Sequence, residues 1–262
     1  MARFEIIGER IHCISPVIRQ AMEEMNPEPI IKRAQEQIAA GATYIDVNIG
    51  PAEKNGPELM KWAVTTIQEA CDNIPLSLDT ANKAAIEAGI SVYNRSKGKP
   101  IVNSADAGDR IEYIDLAAAN EAIIIALCSK AGVPADNDER MMFCQEMLER
   151  GMMLGLDPTE DMWFDPLFLV IKGMQYKQKD VIDFIRQLSD MGFKSTGGLS
   201  NVSNGTPKHI RPILDSTTVS MCIYAGLTSA IVNPLDQRLV ESIKSADIIM
   251  NNSLYADSFL EL

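Results

Sequence analysis

The sequence predicts an α/β protein built as a single (β/α)8 (TIM) barrel, one domain spanning residues 1–262. Three observations lead there. Short apolar runs alternate with helix-period stripes along the whole chain, in the order and number that eight strand–helix units require. Polar residues recur at the C-terminal end of nearly every run. No composition break, linker or low-complexity segment divides the chain, and 46% hydrophobic content is enough for one large core. A doubly wound open sheet is the alternative; it is disfavoured because no glycine-rich dinucleotide-binding turn follows the first run.

The first run, Ile6 to Arg10, ends in charge. A helical region follows, then a helix with Pro29 near its start and Gly41 at its end. Tyr44 to Asn48 is strand two, and Leu59, Trp62, Ala63, Thr66, Ile67 and Ala70 repeat at the spacing of a helix packed on a sheet. Pro75 to Asp79 is strand three, with a short helix from about Asn82 to Ala88 that Gly89 either ends or joins. Pro100 to Asn103 is strand four, ahead of a helix from about Asp109 to Asn120. Ala122 to Cys128, apolar throughout, is a fifth strand buried on both faces. Asp138 is placed to cap a long helix carrying Met141, Cys144 and Leu148. Met162 to Asp165 is strand six, stopped by Pro166. The next helix, from about Lys177 to Met191, turns Val181, Ile182, Ile185 and Leu188 inward. Gly197 to Gly205 reads as a short buried strand seven that ends in small polar residues. Pro212 to Ala225 is helical with Gly226 as its stop, and Ser229 to Val232 is strand eight. Leu239, Val240, Ile243 and Met250 face in from the last helix, and Ser253 to Leu262 is expected on the outside or at a subunit contact.

A net charge of -12 and a pI near 4.7 exclude wrapping nucleic acid or lying on an anionic membrane, both of which demand a basic surface. The N-terminus lacks the apolar region of a signal peptide and no run reaches membrane-spanning length, so a soluble cytoplasmic protein is expected. Five widely spaced cysteines without a Cys-x-x-Cys pair encode neither a disulfide framework nor a zinc knuckle. Only His12 and His209 are present, and no metal site is expected.

Active sites of such barrels lie at the C-terminal ends of the strands. The residues there are Glu9, Asn48, Asp79, Asn103, Asp165, Asn201 and Asn233. This set is rich in carboxylates and amides and poor in nucleophiles. It suits the donor–acceptor edge of a neutral nitrogen heterocycle and makes a poor phosphate site. No Ser-His-Asp or Cys-His arrangement is legible, and Ser200 lacks the nucleophile-elbow pattern. Gly197 and Gly198 let backbone approach a ligand closely. A structural reading stands beside each residue. Asp79 can cap the helix near Asn82, Asp165 can form a turn with Pro166, Asn103 and Asn201 can be strand-end turn residues, and Glu9 can pair with Arg10.

Six strings resemble the pterin-binding methyltransferase family: Ile7 to Ile11, Asp46 to Gly50, Leu78 to Thr80, Val102 to Ser104, Phe164 to Leu167, and Gly198 to Ser203. They are in register along essentially the whole chain, together with Arg211-Pro212 and Tyr255 to Phe259. The resemblance is to the methyltransferases that act between methyltetrahydrofolate and corrinoid/iron-sulfur proteins, and to the tetrahydrofolate-methylating component of anaerobic demethylase systems. It implies a homodimeric barrel that moves a methyl group between N5 of tetrahydrofolate and the cobalt of a corrinoid carried on a partner protein. Acetyl-CoA-pathway systems move it to cobalt, and O-demethylation systems move it to tetrahydrofolate. Asp79, Asn103 and Asp165 match the family's pterin-hydrogen-bonding positions, with Gly198 and Ser200 beside them. Asn201 matches its catalytic asparagine near N5. Glu9, His12, Asn48 and Arg211 are expected as mouth contacts; His12 departs from relatives that carry asparagine there. Tetrahydrofolate or 5-methyltetrahydrofolate is the implied substrate. Two other readings remain: a dihydropteroate-synthase-like pterin enzyme, which would want a phosphate site, and a non-catalytic folate-binding subunit.

Overall fold

The computed structural model describes residues 3–52 and 54–260. Eight strands form one parallel sheet: β1 (Glu5–His12), β2 (Tyr44–Asn48), β3 (Leu76–Asp79), β4 (Ile101–Asp106), β5 (Ile123–Leu127), β6 (Met162–Asp165), β7 (Lys194–Ser195) and β8 (Ser229–Val232). Their order is β7-β6-β5-β4-β3-β2-β1-β8, so each strand lies beside its sequence neighbour and β8 returns to β1. The ring closes between β7 and β8. Gly198 bridges to Ile231, the Ile231 N–H donates to the Gly197 carbonyl at 2.9 Å, and the Ser195 N–H donates to Thr228 Oγ1 at 3.0 Å. This is the (β/α)8 barrel.

Helices cover the outside: α1 (Pro16–Glu23), α2 (Pro27–Ala39), α3 (Gly56–Ala70), α4 (Lys83–Ser91), α5 (Tyr113–Ala119), α6 (Asn137–Met153), the short turn α7 (Ile171–Met174), α8 (Gln178–Asp190), α9 (Arg211–Ala225) and α10 (Gln237–Ile249). Their starts follow local chemistry. Proline stands in the first turn of α1, α2, α3 and α9, where its missing N–H is harmless. Asn26, Asn82, Asp136 and Asp236 accept backbone N–H groups at the starts of α2, α4, α6 and α10. Gly226 ends α9 with φ of 105°, and a Cβ there would lie 2.2 Å from Ser189 Oγ. The main core is the strand-to-helix layer; a second cluster of Ile7, Ile101, Ile123, Ile125 and Trp163 fills the barrel interior.

The structure differs from expectation in three places. The stretch Gly197 to Gly205 is not a strand: β7 is two residues long and lies before it, and Leu199–Asn201 is a 3-10 turn. β1 runs on to His12 through an irregularity between Gly8 and Ile11. Asp136, not Asp138, caps α6, because its carboxylate reaches the Glu139 N–H at 2.9 Å. Of the two places expected for Gly89, it takes the one inside α4, against Met60 and Leu78. The tail up to Leu260 packs outside α10, where Asn252 and Ser253 donate to Asp247.

Candidate functional site at the barrel mouth

Parallel register lines the expected residues up around one rim. His12 pairs laterally with Asn48, Asn48 with Asp79, and Asp79 with Asn103. Asp165 closes β6 beside Leu127 of β5. All five are half-buried. The apolar plug of Ile7, Ile101, Ile125 and Trp163 lies within the barrel, with Tyr44 edge-on to Trp163 at 5.7 Å.

Hydrogen bonds divide these residues into those already committed and those with a free end. Asn48 is committed at both ends: its Nδ2 donates to Asp79 Oδ2, and its Oδ1 accepts the Gly50 N–H at 2.9 Å and the Cys13 thiol at 3.7 Å. It therefore buttresses Asp79 at the rim where a mouth contact is expected. Asn103 donates its Nδ2 to Asp46 Oδ1 at 3.1 Å, which leaves its carbonyl oxygen free. Asp46 also accepts the Ser77 hydroxyl at 2.7 Å and is only 4% exposed. Asp46 lies within one of the family-like strings but closes no strand, so the sequence gives it no role at the mouth. The available signal was period two: Tyr44, Asp46 and Asn48 share one face of β2.

Burial sets the electrostatics. The Asp46 carboxyl is held well above the usual carboxylate range by burial, with the Asp79 charge adding to it. Burial lifts Asp79 to about 6, opposed by the Asn48 hydrogen bond. It lifts Asp165 to about 7, opposed by the Leu167 N–H, which donates to Oδ1 at 2.8 Å. Asp165 thus makes the turn expected of an Asp-Pro pair and keeps its second oxygen free. Gly197 permits this, since a Cβ there would stand 2.6 Å from Asp165 Oδ1 and 2.7 Å from Phe168. Behind the turn, the buried Arg140 donates from Nε to the Pro166 carbonyl at 3.0 Å.

The loop after β7 brings Asn201 to the surface on its 3-10 turn. Its Oδ1 accepts from Asn204 Nδ2 at 3.2 Å, and its own NH2 has no protein acceptor among the described residues. Ser200 donates to Glu9 Oε2 at 2.7 Å, so Glu9 serves the loop and is not ion-paired to Arg10. Arg211 donates to the Thr206 carbonyl at 3.2 Å, again a loop contact. His12 Nδ1 is buried without a partner, and its pKa is lowered by burial and by Arg10 and Arg33. Asn233 Oδ1 accepts the Leu235 N–H and behaves as a turn residue. Asp79 does not cap α4; Asn82 does.

Among the described residues no group of three or more His, Cys, Asp or Glu is arranged to hold a metal ion, and no helix is long and apolar enough to cross a membrane. What the rim offers is three acceptors, on Asp79, Asn103 and Asp165, and one uncommitted amide donor on Asn201. That set is complementary to a flat heterocycle with an N–H-rich edge. A (β/α)8 barrel with such a mouth defines the class: a barrel that binds an amino-substituted nitrogen heterocycle.

The comparisons narrow the class. A model of the pterin binding enzyme family matches residues 15–233, and the chain belongs to that family. It is 28% identical over 255 residues to the methylcorrinoid:tetrahydrofolate methyltransferase of Eubacterium limosum, covering 94% of this chain and 91% of that protein. It is 27% identical over 243 residues to the methionine synthase of Mycobacterium leprae, covering 87% of this chain but 20% of that much longer protein. Among solved structures it resembles the dihydropteroate synthase of Xanthomonas albilineans, with a TM-score of 0.71 and 15% identity over 95% of this chain and 93% of that one. The Yersinia pestis DHPS with a pterine-sulfa conjugate gives 0.72 and 16%, over 96% and 94%. At those identities the likeness is one of fold.

Proposed function

We propose that the protein is a methyltransferase that moves a methyl group between N5 of tetrahydrofolate and the cobalt of a corrinoid carried by a partner protein. The observation that carries this reading is the separation of roles at the mouth: acceptors on β3, β4 and β6 for the ring edge, and a free donor on a separate loop for the reacting side. The full-length relative from Eubacterium limosum, named for methylcorrinoid and tetrahydrofolate, supports it. The dihydropteroate synthases resemble this chain at 15–16% identity, a likeness of fold.

The pterin fits the residues present. Asp79, Asn103 Oδ1 and Asp165 accept the amino-pyrimidine N–H groups and orient N5 toward the open mouth, an entropic contribution. The Gly197–Gly198 backbone gives the ring room. Asn201 donates from Nδ2 toward N5. When N5 gives up its methyl group as a cation equivalent, the N5–C bond pair stays on nitrogen, and a hydrogen bond there stabilises the developing charge. In the other direction the N5 lone pair forms the new bond and N5 then loses its proton to solvent. No covalent intermediate with the protein is required. Homodimer formation is part of the same reading, from the family resemblance. The test is spectroscopic: mix the protein with corrinoid protein and either tetrahydrofolate or 5-methyltetrahydrofolate, and follow the cobalt absorption. Transfer in at least one direction is expected; tetrahydrofolate binding with no change in cobalt state would refute catalysis.

A further inference from the structure

We propose that Asp215 of α9 is a positioning residue for this reaction: together with Glu9 it clamps the loop that holds Asn201. The inference rests on the proposed methyl transfer for its consequence, but the clamp stands on geometry. Two serines flank Asn201 in the loop, and each donates its hydroxyl to a carboxylate from a different wall. Ser200 reaches Glu9 Oε2 on β1 at 2.7 Å, and Ser203 reaches Asp215 Oδ2 on α9 at 2.9 Å. Ser203 is 1% exposed and Asp215 is 8% exposed.

Neither carboxylate has a Lys, Arg or His within 4.0 Å among the described residues. Asp215 Oδ1 has no partner at all. Burying a carboxylate without a cation is unfavourable, and a fold selected for stability alone does better with an apolar group of the same size. Burial accordingly lifts the Asp215 carboxyl to about 6, with the Ser203 hydrogen bond pulling the other way. What the arrangement gains is a fixed loop. Between the clamps, the Ile171 N–H holds the Val202 carbonyl at 2.9 Å, and Thr206 Oγ1 closes back on the Ser203 carbonyl at 2.7 Å. Asn201 itself is exposed and bonded only to Asn204 by its side chain, so nothing but the loop sets where its NH2 points. The ring-binding acceptors sit on β3, β4 and β6, outside residues 199–206 that the two clamps hold. Misplacing a reacting group by about 1 Å costs on the order of a hundredfold in rate. Loosening the clamp therefore affects transfer and spares binding.

The experiment compares the full-length wild type with Asp215→Ala, Ser203→Ala, the double variant, and Asp215→Asn, which keeps an acceptor for Ser203. Three quantities are read: single-turnover methyl transfer with corrinoid protein, tetrahydrofolate Kd, and hydrogen exchange of the amides of residues 199–206. Asp215→Ala and Ser203→Ala should each slow transfer by about tenfold or more while Kd stays within about threefold. The double variant should be no slower than the worse single, as expected of one shared bond. Asp215→Asn should recover most of the lost rate, and exchange of the loop should quicken only where the bond is lost. Unchanged loop exchange, an unchanged rate in a wild type that transfers methyl, or a Kd that rises in step with the lost rate would overturn the clamp. A wild type that transfers no methyl refutes the proposed function instead, and loop exchange alone then decides the clamp.

Discussion

Replacing Asp165 with Asn separates the stability of the barrel from its ligand chemistry. Burial pushes the Asp165 carboxyl up from 3.8 to about 7. The folded chain then holds that proton more tightly than the unfolded one, so the group's contribution to stability is full below pH 3.8 and is lost as pH rises through about 7. The ceiling on the loss is about 4 kcal/mol, three pH units and a little more at about 1.36 kcal/mol each. Solvent at the open side of a half-buried residue brings the share seen in unfolding down to about half of that. The Asp165→Asn variant keeps an oxygen for the Leu167 N–H and never ionises. Urea unfolding of the ligand-free proteins across pH 4 to 8.5 should show the variant pulling ahead from about pH 4, then levelling off above about pH 7 at roughly 2 kcal/mol. Its tetrahydrofolate affinity should fall by about tenfold or more, because one acceptor becomes an amide of either orientation. A stability gap that does not change with pH, or a wild type as stable as the variant at pH 8, would refute the burial argument.

Two further outcomes test the geometry around the same acceptors. Gly197→Ala sets a methyl group 2.6 Å from Asp165 Oδ1, so the carboxylate must move. Tetrahydrofolate Kd measured by calorimetry should rise by about tenfold or more, with the circular dichroism spectrum unchanged. Asp46→Leu removes the acceptor that holds Asn103 Nδ2 and lets that amide turn over. It should weaken tetrahydrofolate binding by roughly 1–3 kcal/mol in the same assay while leaving the unliganded barrel folded, and equal affinity would show that Asp46 does not orient Asn103.

The rim was legible because strand ends in a parallel barrel are fixed by apolar runs, and Asn48, Asp79, Asn103 and Asp165 each close such a run. Their division of labour was not legible, since it depends on which end of each amide is already bonded across the barrel. In the sequence Asn48 reads like the other strand-end amides, and only its bonds to Asp79 and Gly50 show that it also holds Asp79 in place. Glu9 looks like the partner of its neighbour Arg10, yet the bond goes to Ser200, 191 residues away. Strand seven is not legible because only Lys194 and Ser195 pair with β6, too short a run to stand out, while the small polar residues from Gly197 on form the turn beyond it. Asp215 sits inside α9, away from every strand end, and only its bond to the buried Ser203 reveals its role.

The most direct test of the central claim is the Asn201→Ala variant in the cobalt assay. With Asp79, Asn103 and Asp165 intact, tetrahydrofolate should bind within about threefold of wild type, while methyl transfer should slow by about a hundredfold or more, as expected when a single transition-state donor is removed. Transfer at the wild-type rate would contradict the account, because Asn201 would then have no part in the step at N5.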